Sequence, residues 1–341
     1  MAPIAEPRRR WKGKTLLIWT VVGAAAVFAL LSLFADFHGL VRALENFPLH
    51  ILLAVGLLAL GNYALRFLKW HWYLSSMKHR IPLGPNALVF VSAFAFTVTP
   101  AKAGEFIKAF ILKARHRVPY TVSTAVLLME RFTDVLAILL LALSGLFLGS
   151  LNPFWTGMAV IFVVVFILVV RNRKFVRAII EWLGRFKHLK GITENLHEFY
   201  DYGWDLMAPG IFTGSMILSL AAWFLEGIGY YLVADGLGFH ISILEGVFIY
   251  SASILGGALT LFLGGLGATE GSLVGLGIIF GMGKSVAVAS AIIIRIMTLW
   301  FAVIIGWLAF LFTPTLRSLL GASYMDSPES REVKSVQSPE G

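Results

Sequence analysis

The chain has 341 residues, 58% of them hydrophobic and only 14% charged, with a mean hydropathy of +0.82 and a net charge of +9. A soluble domain is nearer one quarter charged, and apolar runs of about 20 residues recur here, so the composition excludes a soluble enzyme and describes an all-α polytopic membrane protein. The absence of cysteine removes disulfides, thiolate nucleophiles and cysteine metal sites, and the positive charge reads as basic cytoplasmic loops facing anionic lipid, with no nucleic-acid partner.

Residues 1–14 are polar and basic, and an apolar run follows from Thr15 to Phe34. That run is too long for a signal-peptide core and lacks a small-residue cleavage site, so it reads as an uncleaved first span with the N-terminus in the cytoplasm. His50 to Trp70 forms a second span that returns to the basic, aromatic stretch Arg66–Arg80. There Trp70, Trp72 and Tyr73 suit the interface belt, and Arg66 can snorkel. Asn86–Thr99 and Phe106–Leu112 are short apolar arms on either side of Pro100–Gly104. They form either a re-entrant hairpin or two tilted crossings. Thr121–Gly149 is a long span carrying Glu130, Arg131 and Asp134, and Phe154–Val170 returns inward.

Residues 171–208 are basic, with Val176, Ile179, Ile180, Leu183 and Phe186 at helical spacing, which predicts an amphipathic helix on the inner leaflet. Pro209–Ala234 crosses outward with Glu226 inside it. Ile243–Leu263 and Ser272–Met282 flank the break Gly264–Gly271, and Val286–Phe312 crosses inward carrying Arg295. The tail 313–341 is rich in Ser, Pro and charge, and reads as disordered cytoplasmic chain. The membrane domain therefore spans 15–312, in a cell (plasma or inner) membrane, with both termini cytoplasmic. The span count is roughly six to ten, depending on how the short arms cross.

One pattern is written twice. TVTPAKAGEFIK (Thr97–Lys108) and LFLGGLGATEG (Leu261–Gly271) each break an apolar run with glycine and then place a glutamate, Glu105 or Glu270. About 25 residues later each is followed by an arginine in an apolar run, Arg131 or Arg295. Tyr73-Leu74 before Ile81 is matched by Tyr231-Leu232 before Ile241, and Ser92-Ala93 by Ser251-Ala252, at an offset near 160. The first copy (49–149) begins with an inward span and the second (209–312) with an outward one. The expected fold is therefore an inverted-repeat, transporter-like bundle with two re-entrant or broken-helix hairpins meeting at the midplane.

These residues carry a resemblance. Pro100-Ala101-Lys102-Ala103-Gly104-Glu105-Phe106-Ile107-Lys108, Glu130-Arg131-Phe132-Thr133-Asp134, Gly264-Gly265-Leu266-Gly267-Ala268-Thr269-Glu270-Gly271 and Arg295 together resemble the membrane domain of the lysylphosphatidylglycerol synthase family, the flippase-like UPF0104 group. The likeness runs from about Thr15 to Phe312, with Leu263 where the family's second glycine motif usually opens with proline. Family members of known role couple this domain to a lysyl-transferring domain or a glycosyltransferase, and neither is present here. The resemblance implies lipid translocation without headgroup synthesis.

A central arginine costs about 2.5–3.5 kcal/mol to insert, so Arg131 and Arg295 are the first candidates for a substrate site. The bland alternative is a salt bridge: Arg131 to Asp134 at i,i+3, and Arg295 to Glu270 or Glu226. Glu105 and Glu270 stand at the starts of half-helices, where a glutamate also simply caps. Gly104, Gly264, Gly265 and Gly267 let the backbone turn, and their N–H groups are candidate anion donors. Lys108 reads as a headgroup attractor or a snorkelling residue near the cytoplasmic mouth. Glu130 and Asp134 form a like-charge i,i+4 pair that either shares a proton or shares Arg131 and Arg66, and Glu226 reads as pore-facing. The histidines have no metal spacing and no Walker lysine follows the glycines, so neither a metal nor another cofactor is expected.

The expected function is a flippase for a phosphate-bearing lipid, whether a phospholipid, an aminoacyl-phospholipid or a polyprenyl-phosphate sugar, rather than an enzyme. Two other classes compete: an intramembrane lipid-headgroup enzyme, and a scaffold that recruits a separate synthase or glycosyltransferase through 171–208.

Overall fold

Prolines set where the helices begin. In the computed structural model Pro48, Pro82 and Pro119 each immediately precede a helix, and Pro209 is the first residue of another. A proline costs nothing there, because the first-turn N–H it lacks has no helical partner anyway. The structure describes residues 37–99, 105–146, 148, 172–174, 177–178, 200–259 and 265–312. The expected first span, the break residues Pro100–Gly104 and Gly264, most of the basic segment and the tail lie outside the described residues.

The described residues form α1 (Phe37–Glu45), α2 (Leu49–Ser76), α3 (Leu83–Ser92, extended by a 3-10 turn Ala93–Phe96), α4 (Ile107–His116), α5 (Tyr120–Ala142), α6 (Pro209–Gly236), α7 (Ile243–Leu259) and α8 (Ala268–Ile279). They continue with α9 (Lys284–Arg295), a π-helical turn Ile296–Trp300 and α10 (Phe301–Leu311). There is no strand among the described residues. Among the described residues three stretches are long and apolar enough to cross a membrane: Leu49–Ser76, Pro209–Gly236 and Lys284–Leu311, each of 28 residues. Each is roughly 42 Å long against a hydrocarbon layer of about 30 Å.

The two halves repeat the same order of elements. α2 and α6 have 28 residues each, and each is followed by a short connection and a shorter helix. Both end in the same cap. Lys78 and Gly238 adopt positive φ (62° and 76°), and the next N–H, of His79 or Phe239, donates back to Leu74 or Ala234 at 3.0 Å. These bounds pair Lys78 with Gly238 and hence Tyr73 with Val233. The Tyr-Leu likeness between Tyr73 and Tyr231 is therefore two residues out of register.

α2 and α6 pack along their lengths. A Cβ on Gly236 would meet Ile51, one on Gly229 would meet Val55, one on Gly61 would meet Leu225, and one on Gly214 would overlap Trp72. Asn62 Nδ2 donates to the Ala222 carbonyl at 2.8 Å. Positions rise along one helix as they fall along the other, so the two helices run antiparallel. Glycines let the backbones approach closely, as small residues do between helices in lipid. On one side an aromatic layer of Tyr63, Phe90, Phe94, Phe96, Trp307 and Phe310 joins α2, α3 and α10. On the other, α6, α7, α8 and α9 share a core around Tyr230, Ile249, Leu273 and Ile294.

The structure corrects one boundary. α2 does not end at Trp70 but runs on through Ser76, and Trp70 and Tyr73 are buried rather than interfacial. Trp70 Nε1 donates to Asn86 Oδ1 at 3.0 Å. A helix can carry Arg66 and Lys69 inward because α5 supplies carboxylates opposite them. In the described part of the basic segment, Asp201 takes hydrogen bonds at 2.8 Å from Arg173 and from Arg177, which hold its carboxyl below the usual carboxylate range.

Candidate functional site

α5 places three charges within two turns, on a helix otherwise apolar enough to be buried. Glu130 and Asp134 are fully covered, while Arg131 keeps about a quarter of its side chain open. Such a helix is stable at depth only if its carboxylates find cations and hydrogen bonds. They do. Glu130 accepts from Arg131 Nη2 at 2.7 Å, from Lys108 Nζ at 3.0 Å and from Arg66 Nη2 at 3.4 Å. Asp134 accepts from Lys69 Nζ at 2.5 Å and from Ser219 Oγ at 3.1 Å, with Arg66 Nε at 3.7 Å and Arg131 Nη2 at 3.5 Å. Arg131 Nη2 also lies 3.5 Å from Glu105 Oε2.

The second half builds a smaller version. Arg295 Nε donates to Glu270 Oε1 at 2.6 Å, and both side chains are buried. Glu270 Oε2 accepts the Gly267 N–H at 2.7 Å. Glu270 therefore both caps α8 and holds Arg295, so the two roles open in the sequence coexist. The Gly267 N–H is spent on this contact, which removes it from the candidate anion donors. Gly265 and Gly267 take φ of 84° and 85°, a region a side chain would strain, and a Cβ on Gly265 would meet the Gly257 carbonyl at 3.3 Å. Tyr250 Oη donates to Glu226 Oε2.

Both halves reach one cavity of about 330 Å³. Its charged lining is Arg66, Glu105, Arg131, Asp134, Glu226 and Arg295, and its apolar wall includes Phe94, Trp223, Ile254 and Leu299. Tyr63 closes it, donating to the Thr298 carbonyl at 2.7 Å. Five residues of the lining carry a buried donor with no hydrogen-bond partner among the described residues: Arg66 Nε, the Thr97 hydroxyl, Arg131 Nε, Trp223 Nε1 and Arg295 Nη2. Unpaired buried donors are costly, and donors left so in a polar cavity mark where a ligand's oxygens fit.

Four residues named from the sequence, Lys108, Glu130, Gly267 and Glu270, stand behind this wall rather than on it. Lys108 is fully buried, sits 4.5 Å over the Phe90 ring and 4.6 Å over Trp70, and reaches Glu130. It is neither a headgroup attractor at a mouth nor a snorkelling residue, because its charge is already neutralised inside. Glu130 is likewise enclosed. Gly104 and Gly264 lie outside the described residues.

Sequence reasoning missed Lys69, Trp223 and Tyr250. Lys69 looks like one cation among many in Arg66–Arg80, yet its i,i+3 spacing from Arg66 puts both on the face opposite α5. Trp223 and Tyr250 read as apolar filler, and only their polar tips in the cavity give them away.

Comparison with known proteins places this architecture. The family model described as the lysylphosphatidylglycerol synthase TM region matches residues 19–306. A UPF0104 membrane protein of Methanothermobacter thermautotrophicus is 24% identical over 331 residues, covering 88% of this chain and 94% of the relative. A UPF0104 membrane protein of Methanocaldococcus jannaschii is 24% identical over 229 residues, 64% of this chain and 93% of the relative. Glycosyltransferase AglD of Haloferax volcanii is 28% identical over 111 residues, 32% of this chain but 18% of AglD. Most of this chain is thus matched end to end by membrane proteins of one kind, and it belongs to the lysylphosphatidylglycerol synthase transmembrane-region family.

Proposed function

We propose that this chain moves a phosphate-bearing lipid between leaflets without modifying it. The observation that carries the reading is that Arg131 and Arg295, from the two halves of the chain, line one cavity and each keeps a buried N–H without a partner. A phosphate has oxygens enough to take both, and guanidinium forks suit it in geometry as well as charge. The acyl or prenyl chain would stay in the bilayer. The antiparallel α2–α6 seam supports an inverted-repeat reading, in which two similar halves rock about a site between them. Glu105 and Glu270, each beside its own half's arginine, would hold those guanidiniums in place while their unpaired N–H groups take the phosphate.

An enzymatic reading has one observation in its favour: Ser219 Oγ lies 2.6 Å from Lys69 Nζ, as in a serine–lysine pair. Both residues are fully buried and neither lines the cavity, and Asp134 holds the lysine. A substrate has no approach to that serine, so the contact reads as part of the charge network.

The test uses purified protein in vesicles carrying fluorescent phosphatidylglycerol, with the wild type compared with Arg131→Ala, Arg295→Ala and the two lysine variants. Translocation that collapses in the alanine variants and partly returns with lysine supports the site. Unaltered translocation in a folded Arg131→Ala/Arg295→Ala protein sinks it. Phosphate released from the lipid would favour the enzyme instead.

A further inference from the structure

Among the described residues the charges around the cavity balance. Arg66, Lys69, Lys108, Arg131 and Arg295 face Glu105, Glu130, Asp134, Glu226 and Glu270, five of each among the described residues. Adding an anionic phosphate to this balanced cluster leaves one negative charge too many. Uncompensated charge at that depth is expensive, so either a carboxylate leaves or one of them takes a proton. Displacement is sterically demanding for Glu130, Asp134 and Glu270, which several donors grip inside the wall.

Glu226 is built differently. It lies near the middle of α6, lines the cavity, and its helix (Pro209–Gly236) contains no lysine or arginine. Its Oε2 takes a hydrogen bond from a phenol, Tyr250 Oη, on α7. A phenol can donate to a carboxylate or accept from a carboxylic acid by turning its hydroxyl, so the pair survives either protonation state with its hydrogen bond intact. The charged and titratable groups that share the cavity with it are Tyr63 and Arg66 from α2, Glu105 just before α4, Arg131 and Asp134 from α5, Tyr250 from α7 and Arg295 from α9, and Glu105 is already held by Arg131 and Lys108. Trp223 is on the same helix, one turn earlier, and also lines the cavity.

We infer that Glu226, partnered by Tyr250, is a proton-binding site that loads together with the anionic headgroup, so that the chain carries a proton with each lipid. This rests on the lipid-transport reading and adds its coupling ion. A proton from water binds a Glu226 carboxylate oxygen as the phosphate enters, and returns to water on the opposite side when the phosphate leaves. For a headgroup of single negative charge the loaded site is again balanced, and the movement carries no net charge.

The signature is linkage between lipid affinity and pH. If the lipid binds together with a proton, affinity falls as pH rises, by about tenfold per pH unit above the carboxyl's midpoint, with about one proton taken up per lipid. Glu226→Gln mimics the protonated form, so it binds tightly and without pH dependence, most visibly at alkaline pH. Tyr250→Phe removes the hydrogen bond that favours the charged carboxylate, so the midpoint moves to higher pH.

The experiment is titration calorimetry of the full chain in detergent with short-chain phosphatidylglycerol, phosphatidic acid and farnesyl phosphate, the pH slope and proton count being read on phosphatidylglycerol, whose diester keeps a single charge, because the two monoesters titrate themselves. Each is run across pH and in two buffers of different ionisation heat, which counts protons. A sloped wild type, a flat Glu226→Gln and a shifted Tyr250→Phe support the inference. A wild type that binds these lipids with no slope and no proton uptake overturns it and leaves lipid binding standing. A slope that survives in folded Glu226→Gln assigns the proton elsewhere and also overturns it. Failure of the wild type to bind any of the three at any pH overturns the lipid reading, and the coupling falls with it.

Discussion

Asn62 and Ala222, joined by a hydrogen bond of 2.8 Å from amide to carbonyl, stand at the same place in the two halves of the chain. They are 160 residues apart, and the first and last residues of α2 and α6 are offset by the same 160. The two antiparallel helices thus touch at corresponding positions along their lengths.

That contact predicts a small but real loss on removal. Asn62→Leu should lower stability by about 0.6 kcal/mol, and by no more than about 1.7, the range for interhelical hydrogen bonds in membranes. Thermal unfolding followed by tryptophan fluorescence in detergent reads it. A loss several times larger would mean that Asn62 does more than bridge the seam.

The Arg295–Glu270 pair predicts non-additivity. Arg295→Met leaves Glu270 buried and charged, at a cost of about 3–5 kcal/mol. Arg295→Met with Glu270→Gln should recover much of that stability while abolishing lipid binding. Paired unfolding and lipid-retention measurements separate the two effects. Full recovery of both would show that the arginine is only structural.

Lys108 and Arg131 contact the same carboxylate, Glu130, from different sides. Lys108→Met should destabilise by about 1–3 kcal/mol because it leaves Glu130 Oε2 without its donor while Arg131 and Arg66 still balance the charge. Since Lys108 does not line the cavity, the lipids retained by the folded fraction should not change in kind. Native mass spectrometry checks this, and an altered lipid class would put Lys108 back in the site.

Glycine positions divide sharply. A Cβ on Gly306 would overlap backbone atoms of Phe94 and Ala95, whereas one on Gly271 or Gly275 would meet nothing within 4 Å. Gly306→Ala should therefore cost about 1–3 kcal/mol or more by overpacking. Gly275→Ala should be neutral or gain up to about 1 kcal/mol from helix propensity. Unfolding midpoints of the two variants decide it, and equal values would contradict the close α3–α10 contact.

The contrast between what the sequence offers and what it hides follows from cost. A charge in an apolar run is expensive enough to be conspicuous, which is why Arg131, Arg295, Glu226 and the Glu130–Asp134 pair could be picked out. Lys69 escaped because its neighbours on both sides are basic, so nothing local distinguishes a buried lysine from a loop lysine. Trp223 and Tyr250 escaped because an aromatic residue in a span is the ordinary case. The shared order of elements has a counterpart in the Glu105–Arg131 and Glu270–Arg295 spacings, yet the Tyr-Leu likeness is out of register. Aromatic residues recur often enough in spans for one to stand near any given place, whereas the caps at Lys78 and Gly238 are backbone events that only the structure displays. Lys108 was misplaced because its partner, Glu130, lies on the next helix, and helix spacing says nothing about contacts between helices.

The wide turn from Ile296 to Trp300 follows directly on Arg295. Such a turn holds one residue more than an α-helix does, and each residue advances a helix by about 100°. The surplus residue sets the angle between Arg295 and α10, whose Ala302 lines the same cavity while Gly306, one turn on, lies against Phe94 and Ala95. The turn is thus a clutch between two ends of one rod. Deleting any one of those five residues would engage it, and the protein would have to give up either the arginine's aim or the α3–α10 seat.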